Sequence, residues 1–176
     1  MFDTLIQFIR QQYRSDAFIP LHAPVFAGRE QEYVNDTIAS TFVSSVGAYV
    51  DRFERDMATY TGSPRAVATV NGTSALHIAL RLAGVEPGEL VITQPLTFVA
   101  TCNAIAYCSA EPLFIDVDRD TLGLSPSALE AWLVDNACLG DDGLCRTSNG
   151  QVIRACVPMH TFGHPADLDG LLKVCR

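Results

Sequence analysis

Lysine is almost absent from this sequence: Lys173 is the single lysine among 12 basic residues, against 20 acidic ones. The net charge of −8 and the lack of any basic run exclude nucleic acid as a main partner, because phosphate backbones bind clustered positive charge. No apolar stretch approaches the length of a membrane span, and the N-terminus lacks a signal-peptide layout. We therefore expect a cytoplasmic protein with neither a membrane nor a nucleic acid as partner.

Paired cysteine motifs are also missing, although the chain contains six cysteines. In a cytoplasmic chain of this size we expect the cysteines to be reduced and mostly buried. Four residues of one region could supply zinc ligands: Cys145, Cys156, His160 and His164. The two cysteines are spaced too widely for a zinc knuckle, and Gly163 and Pro165 interrupt any helix that could carry the histidines. No metal site is predicted.

Apolar residues, by contrast, are plentiful. Of the 176 residues 48% are hydrophobic and 18% are charged, which is enough for one domain with a substantial core. The apolar spacing predicts three helices, over residues 2–14, 30–40 and 48–60. Two prolines and a glycine favour an extended arm between the first two helices, over 18–28. We therefore separate an N-terminal helix and arm, residues 1–28, from a main domain of residues 29–176.

The most informative stretch is RAVATVNGTSALHIALRLAG, residues 65–84. It predicts a buried strand over 66–70, a tight turn at Asn71 and Gly72, and an apolar helix that begins at Thr73 and is closed by Gly84. The start of a helix carries unsatisfied N–H groups and partial positive charge, so this junction favours a phosphate. It contains neither a Walker A loop nor a GxGxxG turn. An ordinary capped helix after a core strand is the alternative.

Strands and helices alternate through the rest of the chain. Strands are predicted over 90–93, 113–115 and 152–157, and helices over 98–107, from Pro126, and from Asp167 or Ala166. A loop with a small hairpin at Asn149-Gly150 is predicted over 138–151. This alternation predicts an α/β fold of three layers, a mainly parallel sheet with helices on both faces. Ligands of such sheets bind at the carboxyl ends of strands, where residues 71–74, Thr97, Phe98 and His160 fall.

Four motifs carry a resemblance: VNGTSALHIAL, QPLTFVATCNAI, AEPLFIDVDRDT and VPMHTFGHPADLDGL, in this order and spacing. The chain resembles the DegT/DnrJ/EryC1/StrS sugar aminotransferases, fold-type I enzymes that use pyridoxal 5′-phosphate (PLP). The front end (PLHAPVFAG and STFVSSVGAYVDRFE) and PMHTFGHP are most similar to the LegC branch. That branch aminates the 4-keto group of a UDP-linked deoxy-N-acetylamino sugar in legionaminic acid synthesis. Residues 29–176 would then form the N-terminal part of the PLP-binding large domain.

The resemblance implies roles for individual residues. Gly72, Thr73 and Ser74 would hold the cofactor phosphate, and Phe98 would stack on the pyridine ring, although a core aromatic is the alternative for Phe98. His160 would approach the cofactor or the substrate; a histidine that only holds its loop by a hydrogen bond is the alternative. Ser44 and Ser45 lie in a loop that would bind substrate. The implied partners are a UDP-linked 4-keto sugar, glutamate as amino donor, and a second subunit in a homodimer.

The sequence departs from the family at its end. The family's lysine that forms the covalent link with PLP, and the aspartate that pairs with the pyridinium nitrogen, follow shortly after residue 176; Lys173 matches neither motif. The chain thus resembles the N-terminal half of such an enzyme, contains no catalytic residue of that reaction, and is expected to be inactive alone. Two alternatives stay open: a non-catalytic remnant or interaction subunit, and a PLP-dependent sugar dehydratase in which the lysine is replaced.

Overall fold

The computed structural model describes residues 2–20 and 23–176. It divides the chain into two compact units, residues 1–68 and 69–176. The boundary predicted after residue 28 falls inside the first unit and stays a prediction. The predicted arm over 18–28 forms no helix or strand in its described part; its residues 21 and 22 lie outside the described ranges.

The first unit consists of three helices: α1 (Asp3–Tyr13), α2 (Glu30–Ser40) and α3 (Ala48–Thr61). Each carries an acidic side chain in its first turn, which the partial positive charge of a helix start favours. All residues of these helices are described, and none is buried. Polar contacts join α2 to α3: Tyr49 Oη donates to Asp36 Oδ2 at 2.9 Å, and the rings of Tyr33 and Tyr49 lie 5.1 Å apart.

The second unit contains four helices, five strands and one short 3-10 helix. In chain order they are α4 (Gly72–Leu82), β1 (Leu90–Thr93), α5 (Val99–Tyr107), β2 (Glu111–Phe114), α6 (Pro126–Asn136), β3 (Ala137–Leu139), β4 (Cys145–Thr147), β5 (Val152–Val157), the 3-10 helix Thr161–Gly163 and α7 (Leu168–Val174). Among the described residues, no helix is both long enough and apolar enough to cross a membrane.

One sheet of order β2-β1-β5-β4-β3 runs through the second unit. β1 is parallel to both β2 and β5, whereas β4 is antiparallel to β5 and β3. The predicted hairpin at Asn149-Gly150 is confirmed, since the Gly150 N–H donates to Thr147 O at 2.8 Å between β4 and β5. The loop predicted over 138–151 is wrong where β3 and β4 pair as a second hairpin, whose turn is polar and glycine-rich. The sheet is therefore parallel in its centre and antiparallel at one edge.

Two apolar clusters cover opposite faces of this sheet. On one face α4 and α5 pack on β1 and β5 through Leu80, Ala104, Ile105 and Val91. On the other face α6 and α7 pack through Leu129, Leu171 and Ile92. Because adjacent strand residues point to opposite faces, Val91 packs in the first cluster and Ile92 in the second. The three-layer α/β class predicted from the sequence is confirmed.

A β-bulge in β5 distributes its side chains between these faces. Leu90 pairs with Ile153 but Val91 pairs with Ala155, so Arg154 has no partner in β1. The extra residue shifts the alternation, and Ile153 and Cys156 both contact the α6 and α7 cluster.

Three further sequence-based predictions are wrong in this structure. Residues 66–70 form no strand, and Val67 and Val70 are 80% and 87% exposed. A strand requires a hydrogen-bonding partner, and the sheet described above offers none to this segment; the Ala68 N–H donates to the Glu54 side chain at 2.8 Å. The α4 helix is less buried than its apolar sequence indicates, because only Leu80 is buried. Of the six cysteines, all free, Cys108 alone is buried.

Candidate cofactor-binding site

The start of α4 presents several hydrogen-bond donors that have no acceptor among the described residues. Asn71 caps the helix: its Oδ1 accepts from the Ser74 N–H at 2.9 Å, and its carbonyl accepts from the Ala75 N–H at 3.1 Å. Among the described residues, nothing accepts from the N–H groups of Gly72 and Thr73. These two groups carry the partial positive charge of an 11-residue helix.

Two hydroxyls extend this set. Thr73 and Ser74 are half-buried, and within the described part of the chain their hydroxyls make no hydrogen bond. Four donors, two N–H and two O–H, therefore lie free within three consecutive residues. Such a group binds a phosphate well, because a dianion accepts several charge-assisted hydrogen bonds at once.

Gly72 has a different role from the one predicted. The helix begins at Gly72 itself, and its φ is not left-handed, so no turn requires a glycine there. A Cβ built at Gly72 meets no heavy atom within 4 Å. What the glycine provides is open space beside two free N–H groups, which allows a ligand oxygen to approach the backbone.

Phe98 precedes α5 and follows β1. Its ring is 73% exposed, so the core-aromatic alternative is wrong. The Phe98 carbonyl accepts from the Thr101 N–H at 3.0 Å, and the hydroxyls of Thr97 and Thr101 lie 2.9 Å apart. The backbone at Phe98 is thus held at the start of α5 while its aromatic face stays free for stacking.

His160 follows β5 and is exposed, but its ring is oriented. Nδ1 accepts a hydrogen bond from the Ala166 N–H at 3.0 Å. A ring nitrogen that accepts is unprotonated, so the proton of the neutral ring lies on Nε2. Nε2–H has no acceptor among the described residues. His160 therefore does hold its loop by a hydrogen bond, through Nδ1, while Nε2–H is left to donate to a ligand.

The structure brings Phe98 and His160 to one edge of the sheet. Both follow the carboxyl ends of β1 and β5, which are parallel neighbours. The helix α4 packs on α5, the helix that Phe98 precedes. Ser44 and Ser45 belong to the first unit, in the exposed loop between α2 and α3, where Ser44 Oγ accepts from the Val46 N–H at 3.3 Å. Their predicted substrate contact stays a prediction.

Sequence reasoning missed Gln94, which follows β1 directly. Its side chain is fully buried and contacts the loops that precede Phe98 and His160. The available signal was a polar amide between a strand of wholly buried residues and Pro95. A buried amide must find partners, and at a strand end those partners are loop backbones. No three His, Cys, Asp or Glu side chains of the described ranges are grouped so that they could hold a metal ion.

Several known proteins are similar to this chain in sequence and in fold. The chain is 35% identical over 158 residues to GDP-perosamine synthase of Caulobacter vibrioides, covering 90% of this chain and 38% of that protein. It is 35% identical over 159 residues to the spore coat polysaccharide biosynthesis protein SpsC of Bacillus subtilis, covering 90% and 36%. An aminotransferase from Psychrobacter cryohalolentis superimposes with a TM-score of 0.71 at 29% identity, covering 90% of this chain and 36% of that one.

The chain thus spans less than two fifths of the length of these proteins. The DegT/DnrJ/EryC1/StrS family model matches residues 25–176. That match includes all four sequence motifs, the free donors of α4, Phe98 and His160. The similarity to the LegC branch stays a prediction. The resemblance to the family is confirmed, and the chain belongs to the DegT/DnrJ/EryC1/StrS aminotransferase family, whose members are PLP-dependent sugar aminotransferases.

Proposed function

We propose that this chain supplies the phosphate-binding and ring-stacking side of a PLP site in a sugar aminotransferase. The observation that carries the proposal is the free donor set at the start of α4. Asn71 satisfies the Ser74 N–H, and two further N–H groups and two hydroxyls are left for a ligand. Unpaired N–H groups occur at every helix start, but here two half-buried hydroxyls without a partner among the described residues lie beside them.

The residues present fit PLP by the chemistry of their donors. The N–H groups of Gly72 and Thr73 and the hydroxyls of Thr73 and Ser74 would hold the phosphate, and the Phe98 ring would fix the plane of the pyridine. Bound PLP supplies the electron sink for moving an amino group. His160 would donate from Nε2 toward the cofactor or the substrate, since Ala166 already occupies Nδ1.

For the substrate we propose a nucleotide-linked 4-keto sugar. The name of the Caulobacter relative states a GDP-linked amino sugar, and that of SpsC states polysaccharide biosynthesis. The similarity of the front end to the LegC branch favours a UDP-linked deoxy-N-acetylamino sugar, with glutamate as amino donor and a legionaminic-acid type of product. Ser44 and Ser45 would contact that substrate. A homodimer in the cytoplasm completes the proposal.

The phosphate role is tested by Ser74→Ala in the 176-residue chain, with pyridoxamine 5′-phosphate as the probe. This probe has no aldehyde, so it cannot form adventitious links with Lys173 or the N-terminus. Removing the Ser74 hydroxyl takes one charge-assisted hydrogen bond from the phosphate, roughly 1.5–3 kcal/mol, and affinity should fall tenfold or more. The melting temperature should stay unchanged, because that hydroxyl contacts no described protein group and alanine favours helix.

Ser125→Ala is the matched control. Ser125 also stands at a helix start, but its hydroxyl accepts from the Ala128 N–H at 3.2 Å and caps α6. Its loss should cost about 1 kcal/mol of folding free energy and leave the probe affinity unchanged. Isothermal titration and thermal denaturation of the three proteins provide both quantities. Wild-type probe affinity in a stably folded Ser74→Ala protein would refute the phosphate role.

A further inference from the structure

We propose that Gln94 is the positioning residue of the ring side of this site. It would hold the loops of Phe98 and His160 at a set distance from each other. The inference rests on the proposed function, because the two loops carry the residues that are proposed to contact the cofactor. Gln94 itself is fully buried, so it would act only through the loops that it joins.

The amide of Gln94 bonds three separate loops. Its Oε1 accepts from the Leu124 N–H at 2.8 Å and the Met159 N–H at 3.1 Å. Its Nε2 lies 2.9 Å from Leu96 O, 3.1 Å from Leu122 O and 3.0 Å from Thr161 Oγ1. Five contacts to backbone and hydroxyl groups leave the side chain a single orientation.

These contacts lie next to both site residues. Leu96 is two residues before Phe98, and Met159 and Thr161 flank His160 on either side. The loops are also joined directly, since Thr97 Oγ1 lies 3.3 Å from Met159 Sδ. Thr161 Oγ1 donates in turn to Leu122 O at 2.8 Å, which closes the network. A displacement of Gln94 would therefore move Phe98 and His160 relative to each other.

Only a primary amide of this length serves the network. A carboxylate cannot donate, so glutamate at this position would place its oxygens against Leu96 O and Leu122 O. Leucine would leave the N–H groups of Leu124 and Met159 buried without an acceptor. Asparagine is one methylene shorter and could not reach both sets of partners. Isosteric Gln94→Glu therefore removes the donor half of the network while it preserves volume.

The helix start that would bind phosphate is independent of this network, since none of the Gln94 partners belongs to α4. This independence separates a positioning role from a general structural one. In the 176-residue chain, Gln94→Glu should weaken pyridoxamine 5′-phosphate binding about tenfold. The affinity for inorganic phosphate should change less than about twofold. Titration calorimetry measures both affinities, and circular dichroism shows whether the variant is folded.

Thr93→Val is the matched control. Thr93 is fully buried beside Gln94, and its Oγ1 donates to Val157 O at 2.9 Å, which joins strand to strand instead of loop to loop. It should lower the melting temperature and leave the ratio of the two affinities at the wild-type value. If Gln94→Glu does not fold, Thr161→Val removes two network bonds, and it should lower the same ratio by a smaller factor.

The outcomes are distinguishable. Wild-type protein that binds pyridoxamine 5′-phosphate no more tightly than inorganic phosphate would refute the proposed function and this inference with it. Tighter wild-type binding of the pyridoxamine compound with an unchanged ratio in folded Gln94→Glu would refute the positioning role alone. Equal loss of both affinities would show a general structural role and refute it as well. A selective loss on the pyridoxamine side supports it.

Discussion

The ion pair between Glu89 and Arg154 connects the start of β1 to the bulge of β5. Arg154 Nε lies 3.0 Å and 3.2 Å from the two carboxylate oxygens of Glu89, which also accepts from the Glu86 N–H at 2.9 Å. The two side chains are only 11% and 24% exposed, Glu89 the less exposed. We predict that Glu89→Gln, which keeps size and acceptor, and Arg154→Met, which keeps the apolar stem, each destabilise the chain.

The magnitude follows from this partial burial. Exposed pairs contribute about 0.2–1 kcal/mol, whereas breaking a fully buried pair costs about 3–5 kcal/mol. For a pair mostly covered but still in contact with water we expect about 2 kcal/mol for each variant and a coupling energy of about 1 kcal/mol. Each variant should then melt roughly 5–9 °C lower. Urea denaturation of wild type, both single variants and the double variant measures the coupling.

The effect should depend on pH with a definite sign. Hydrogen bonding to Arg154 lowers the pKa of Glu89 from its usual 4.5, so the unfolded chain takes up this proton first as the pH falls. The contribution of the pair is complete above pH 4.5 and is lost as the pH falls through the lower pKa of the folded state. Asp142→Asn in the more exposed Arg146–Asp142 pair is the control and should have a much smaller effect. A coupling energy near zero at pH 7, or one that does not fall at any pH below 4.5 at which the protein is still folded, would contradict the argument.

Two further predictions concern packing and backbone conformation. Leu129→Ala should lower the free energy of unfolding by about 3–4 kcal/mol in urea denaturation, because Leu129 is fully buried in the α6 and α7 cluster. Leu139→Ala is the control and should cost less than about 0.5 kcal/mol, because Leu139 is 74% exposed. Gly84→Ala should cost about 1–2 kcal/mol in the same assay, since Gly84 has a left-handed φ of +83°, whereas Gly72→Ala should leave stability unchanged or slightly higher. Equal losses in both glycine variants would show that the conformation of Gly84 is not what requires a glycine.

Helices of this protein follow from local sequence. The predicted 30–40 helix agrees with Glu30–Ser40, and the helix from Pro126 begins there with Ser125 as its cap. The end of α4 also follows from one residue, because Gly84 allows the two closing bonds, from its own N–H to Arg81 O and from the Val85 N–H to Leu80 O. Each of these signals acts within about five residues, so no distant contact can override it easily.

The residues of the candidate site were named from sequence motifs, and the structure adds their local conformation. The motifs identified Gly72, Thr73, Ser74, Phe98 and His160 as cofactor contacts, an assignment that stays a prediction. The local structure differed, since α4 begins at Gly72 rather than Thr73, Asn71 is its cap, and Gly72 is not needed for a turn. Asn71, Thr73 and Ser74 lie within four positions and are all residue types that cap helices, and sequence spacing alone does not choose among them.

By itself the sequence determined the helix boundaries, the central strands β1 and β5, the three-layer class and the family. These depend on periodicity, caps and motifs, all of which act over short distances. Only the tertiary structure decided which segments pair: residues 66–70 have strand composition but no partner, and the polar stretch before Asn149 forms an antiparallel edge. The bulge at Arg154 and the loop contacts of Gln94 were decided in the same way. Three of the Gln94 partners lie 30 to 67 residues away, and the paired residues of β1 and β5 lie 63 or 64 residues apart, so a local pattern cannot encode which distant groups will be there.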